Sequence, residues 1–218
     1  MPKDEPKQKE IFDYRTLRLL VGLIAFCLPV VVEILSPVKL SSISASYYQE
    51  APRVFFIGLL FAIATLMIAY KGVYPSEKFV SKLAAMAAIF VAAFPTSEDP
   101  CTTSATSTVH YLSAGVLFSV IAYFCLGPFR KHASAQHTTK GDRRAIIYIF
   151  CGIVIILCVV AVASMSRLLP CEVSEGWATT FIAEWIALWT FGLAWFVSGK
   201  VLPPLADDGE RLRIFGSK

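Results

Sequence analysis

Six apolar runs separated by short polar connections dominate the pattern of this chain: 17–35, 54–70, 79–94, 110–129, 145–165 and 177–201. Within them apolar residues are nearly continuous, so each predicts a helix with apolar surroundings on most sides. A bilayer span takes about 20 such residues, with a range of about 17–25. The expected fold is all-α, a polytopic transmembrane bundle of six helices. It divides into an N-terminal segment 1–16, a membrane domain 17–201 and a tail 202–218.

The third run is short and carries Lys82 near one end, which leaves a re-entrant or interfacial segment as the rival reading. A lysine close to a helix terminus can reach the headgroup layer with its stem along apolar surface. The run also holds six alanines (Ala84, Ala85, Ala87, Ala88, Ala92 and Ala93), which suits a helix packed closely among neighbours. Pro29, inside the first run, frees the carbonyl of Ala25 and predicts a kink.

Six spans fix which connections share a side. Of the 20 lysines and arginines, all but Lys39, Arg53 and Arg167 fall on the side of the N-terminal segment, the 2–3 and 4–5 connections and the tail. Positive charge collects on the cytoplasmic face, so both termini are expected in the cytoplasm. The first run is longer than a signal-peptide core and no A-x-A-like site follows, which predicts an uncleaved span. Short loops and small size suit a bacterial inner (plasma) membrane. Composition agrees: 56% hydrophobic and 17% charged, against roughly 45–50% and 25% for soluble domains. No basic-aromatic interleaving points to nucleic acid.

Cysteine placement adds one covalent expectation. Cys27, Cys125, Cys151 and Cys158 lie inside runs and read as small buried hydrophobes. Cys101 and Cys171 each follow a proline in a connection on the outer, oxidising side, where disulfides persist. A Cys101–Cys171 bridge is expected to tie the third and fourth helices to the fifth and sixth. No Cys or His spacing fits a zinc site, so neither a metal nor another cofactor is expected. His132 and His137 read as residues of a solvated basic loop.

Ionisable groups inside spans are costly and mark candidate sites. Glu184 lies seven residues into the last run, Glu33 near the outer end of the first, and His110 at the outer start of the fourth. These are the candidate catalytic residues. Thr180 shares the Glu184 face, and Ser113 shares the His110 stripe. Gly115 and Ser119 form a small-xxx-small pair of the kind that favours helix contact. Ser44, Tyr47, Tyr48 and Arg53 from the 1–2 connection, with Asp99 from the 3–4 connection, are candidates to roof a polar pocket. The plain alternatives are a hydrated loop with interfacial tyrosines, an end-of-helix Glu33 reaching water, and structural hydrogen bonds at Glu184 and His110.

A resemblance rests on Ile43-Ser44, the stretch Arg53-Val54-Phe55-Phe56-Ile57-Gly58, Phe94-Pro95 and His110. It continues in Glu184-Trp185-Ile186-Ala187, Gly192-Leu193-Ala194-Trp195 and Gly199-Lys200. In these the chain resembles uncharacterised six-helix bacterial membrane proteins, themselves distantly similar to the damage-regulated autophagy modulator type. That resemblance implies six spans and supplies no catalytic residues. Zinc-dependent seven-helix hydrolases of the ceramidase and adiponectin-receptor type fit poorly, because only His110 lies near a span and no His-xxx-His pair exists.

Three functions follow in order of expectation. The first is a non-catalytic membrane protein that organises lipids or partner proteins. The second is a small-solute or proton-coupled transporter using Glu184 and His110, although no inverted repeat is visible. The third is an outer-leaflet lipid-modifying enzyme with His110 as base and Glu184 or Glu33 as its partner. The expected partners are the lipid bilayer, a lipid or small-molecule ligand and a membrane-protein partner.

Overall fold

The computed structural model describes residues 14–72, 74–99, 101–168 and 179–206, and every regular element among them is helical. Six helices of 19 residues or more are α1 (Tyr14–Leu35), α2 (Glu50–Ala69), α3 (Pro75–Ala93), α4 (Ala105–Phe124), α6 (Thr139–Leu168) and α7 (Thr179–Ser198). A short α5 (Arg130–Ser134) follows α4 through a π-turn at Cys125–Phe129. Pro128 lies in that turn, where its missing N–H and its ring would break a regular helix; the wider π-turn absorbs both and the rod continues.

The helices form a closed ring. Each packs on its neighbour in sequence, and α7 returns to pack on α1. Five stretches are long and apolar enough to cross a membrane: Arg15–Leu35, Glu50–Ala69, Ala105–Ser134, Thr139–Ser164 and Thr179–Ser198. α3 matches them in length and lies between α2 and α4, though Glu77, Lys78 and Lys82 lower its hydropathy. Five of its six alanines are buried and Lys82 is exposed, as a tightly packed helix with a snorkelling lysine requires.

Most boundaries differ from the apolar runs. α3 begins at Pro75 rather than 79, α4 at Ala105 rather than 110, and α6 at Thr139 rather than 145. In each case a polar first turn supplies the cap: Ser104 accepts from the backbone of Ser107, and Pro75 opens α3 with its preset φ. The expected 4–5 loop is mostly helix, reduced to a turn between Ser134 and Thr139. Trp177 and Cys171 lie outside the described residues, as do the segment 1–13 and most of the tail.

Two contacts hold the ring closed. At the α1–α7 crossing, Gly22 and Gly192 face one another: a Cβ on either would lie 3.0 Å from the other's carbonyl oxygen. The same atoms would fall 2.6 Å from the Phe196 ring and 2.5 Å from the Phe26 ring. Those two rings are stacked at 5.2 Å across the seam. Inside lipid no hydrophobic force draws helices together, so such close approach is a main source of their attraction. At the centre, Trp195 is 1% exposed and sits among Tyr70, Phe129 and Phe191, with ring centroids at 5.5, 5.5 and 5.9 Å.

Candidate functional site

The helix ring has two polar ends. One carries the 1–2 and 3–4 connections and is rich in hydroxyls; the other carries the 2–3 and 4–5 connections and is rich in basic residues.

At the hydroxyl-rich end the expected candidates separate into two networks. One Glu184 oxygen accepts from the Ile43 backbone N–H at 2.6 Å, and the other lies 3.5 Å from the Ser44 hydroxyl. Phe181 N–H donates to the Ser41 carbonyl at 3.1 Å, so the first two turns of α7 are fastened to the 1–2 connection at two points. His110, 2% exposed, donates from Nδ1 to the Phe94 carbonyl at 2.8 Å. A carbonyl only accepts, so this contact fixes the proton on Nδ1. Glu184 and His110 make no hydrogen bond or ion pair with each other.

The connections do meet above the ring. Tyr48 donates to the Thr96 carbonyl at 2.5 Å, and Thr96 shares a 2.7 Å hydrogen bond with Tyr111. Partial burial, and then the Glu98 carboxylate, push the Tyr48 hydroxyl up in pKa, which keeps it a donor. Tyr47 packs edge-on against Tyr48. The other candidates do not converge on a pocket. Arg53 is exposed, and Asp99 Oδ1 accepts from Cys101 N–H within its own turn. Ser113 is buried, Thr180 is half-buried in the first turn of α7, and a buried Glu33 oxygen has no partner. Cys27, Cys125, Cys151 and Cys158 are free thiols, Cys125 and Cys151 wholly buried; Cys101 is not one of them.

The basic end holds the denser network, and the sequence pattern does not reveal it. α2 ends at Ala69, and Gly72 turns the chain with φ +57°. A Cβ there would sit 2.5 Å from that of Glu77, so only glycine fits. The turn folds Glu77, 0% exposed, beneath itself. One carboxylate oxygen accepts from Tyr70 hydroxyl at 3.1 Å; the other takes Tyr74 N–H at 3.3 Å and meets His132 Nε2 at 3.0 Å. The Tyr74 ring stacks on His132. His132 therefore belongs to a helix-bound hydrogen-bonded cluster rather than to a solvated loop, whereas His137 is exposed in the turn.

Arg18 joins this network from α1. Its two terminal nitrogens donate to the Ser198 carbonyl at 2.9 Å and the Tyr70 hydroxyl at 3.3 Å, and its guanidinium lies over the Tyr70 and Phe129 rings. Its Nε is buried without a partner. Arg144, counted from sequence as part of a cytoplasmic loop, is 2% exposed inside α6 and donates to the Leu205 carbonyl and the Gln136 side chain. Lys140 donates to the Ala206 carbonyl at 2.7 Å. Arg18, His132, Gln136, Arg144, Tyr148 and Lys200 line a pocket of about 260 Å³ between these elements.

A second hollow opens on the flank of the ring among α3, α4 and α6, with a volume of about 580 Å³. Val80, Leu83, Leu112, Gly115, Val116 and Tyr123 line it. The Gly115 and Ser119 pair expected to touch another helix lines this hollow instead, and a Cβ at Gly115 would meet nothing within 4 Å.

This architecture defines a multi-pass, all-helical membrane protein. No family model, curated protein or solved structure matches the chain.

Proposed function

We propose that this chain is a non-catalytic membrane protein that organises bilayer lipid along its flank. The observation that carries this reading is where the costly polar groups of the hydroxyl-rich end are spent. Glu184 holds the 1–2 connection onto α7, and His110 holds the end of α3 onto α4. Each side chain acts as a fastener between elements, whereas acid–base chemistry needs both groups within reach of one reacting atom. The flank hollow supplies the lipid side of the reading. Gly115 lies ten residues from the start of α4, about 15 Å along the helix axis and near mid-bilayer depth. At that depth the occupant with matching chemistry is a lipid acyl chain.

The finer parts of the reading belong with it. The basic end faces the cytoplasm with both termini, on the strength of the charge asymmetry, in a bacterial plasma membrane. Cys101 and Cys171 form a disulfide on the opposite side. The kinship is with six-helix bacterial membrane proteins of the kind distantly similar to the damage-regulated autophagy modulator type.

Spin-labelled phosphatidylcholine in reconstituted vesicles tests the lipid role. The native chain is expected to immobilise more lipid than a Gly115→Phe variant, whose ring fills the hollow without meeting a neighbour at its Cβ, while both melt at the same temperature. Equal immobilisation, or a loss of protein self-association in place of lipid, removes the lipid reading. A lipid species that appears only with the native chain and disappears in His110→Ala makes it an enzyme instead.

A further inference from the structure

We propose that the pocket at the basic end is a binding site for a phosphate-type oxyanion. Arg18, Arg144 and Lys200 bring three basic side chains to its lining, and among the described residues that line it none is a carboxylate. Glu77, the nearby acid, is bound by His132, Tyr70 and Tyr74 and does not line the cavity. The partners that hold Arg18 are neutral, a carbonyl and a phenol, so its position is fixed while its charge is left available to an anion. Its Nε is buried without an acceptor, a cost that a bound anion would offset through the charge of the same guanidinium.

Shape and chemistry agree on a small anion. A volume of about 260 Å³ is below the range of about 300–1,000 Å³ typical of drug-sized ligands. Arg, Tyr and Gln side chains supply directed donors of the kind that recognise phosphate oxygens. Basic pockets between membrane helices accept lipid phosphates in the same way. Two sources share this chemistry, a phospholipid headgroup and free phosphate. The site is separate from the flank hollow, so it stands or falls independently of lipid organisation there.

Gln136→Glu is the decisive variant. The side chain accepts a hydrogen bond from Arg144, and glutamate keeps an acceptor there while placing a negative charge in the pocket. Thermal melting in neutral detergent would be followed against inorganic phosphate, with chloride at equal ionic strength as reference, and separately against micelles containing phosphatidylglycerol or only phosphatidylcholine. The native chain is expected to melt higher with phosphate, with phosphatidylglycerol, or with both. A shift with phosphate alone assigns the site to free phosphate, and one with phosphatidylglycerol alone to a headgroup; either supports the site. Gln136→Glu is expected to weaken the effect at least tenfold in half-saturating concentration, and Arg18→Gln likewise, while Gly115→Phe leaves it unchanged. No shift with either probe overturns the proposal. So does an equal shift in Gln136→Glu, which would mark general screening.

Discussion

Replacing Glu77 with leucine is expected to cost about 2–4 kcal/mol and to lower the melting temperature in detergent by roughly 5–15 °C. The carboxylate is wholly buried, and its partners include the Tyr70 hydroxyl, the Tyr74 amide and His132. Interhelical hydrogen bonds in membranes average only about 0.6 kcal/mol each, so the bonds alone would give about 2. The rest comes from partners left unmatched in a closed site. It stays modest because His132 is 29% exposed, so water can take the place of the lost carboxylate at its ring nitrogen. Glu77→Gln keeps both acceptor functions at one oxygen and should lose less than half as much. A leucine variant within about 1 kcal/mol of native would mean the cluster does not hold α2, α3 and α5 together.

The second large effect is at the α1–α7 seam. Gly192→Val is expected to cost about 1–3 kcal/mol or more, as overpacking of a close contact does. Added atoms would meet the Phe26 ring and the Gly22 carbonyl. Phe26 is held by stacking on Phe196 and by its contact with Trp189, so it has little freedom to retreat. Because α7 closes the ring on α1, separating them opens the bundle, and a loss of folded monomer on size-exclusion chromatography should accompany the lower melting temperature. Gly58→Val provides the control, since a Cβ there meets nothing within 4 Å. Comparable losses at Gly58 and Gly192 would remove the seam as the cause.

Helix number was legible because a continuous apolar run has few outcomes other than a buried or spanning helix. Helix ends were not, since Pro75-Ser76-Glu77 and Ala105-Thr106-Ser107 are polar yet continue helices as capped first turns. At the hydroxyl-rich end the sequence pattern singled out Glu184, His110 and Ser44, but their pairing depended on loop geometry that helix periodicity does not encode. The basic end was misread for a related reason. Arg18, Glu77 and Arg144 lie at the edges of apolar runs, where a charged residue reads as solvated flank. Their burial arises only when helix ends converge. A weak signal was present only for Arg18, which falls inside the first apolar run, 17–35.

The central claim is that the two polar ends lie on opposite faces of a membrane, with the basic end in the cytoplasm. Labelling of intact cells with a membrane-impermeant maleimide tests it, using native Cys101 and a Ser134→Cys variant at the exposed end of α5. The account predicts that Cys101 reacts in intact cells only after a reductant opens its disulfide, and that the cysteine at 134 reacts only after permeabilisation. Reaction of both in intact cells, or of neither until permeabilisation with reductant present, would contradict it.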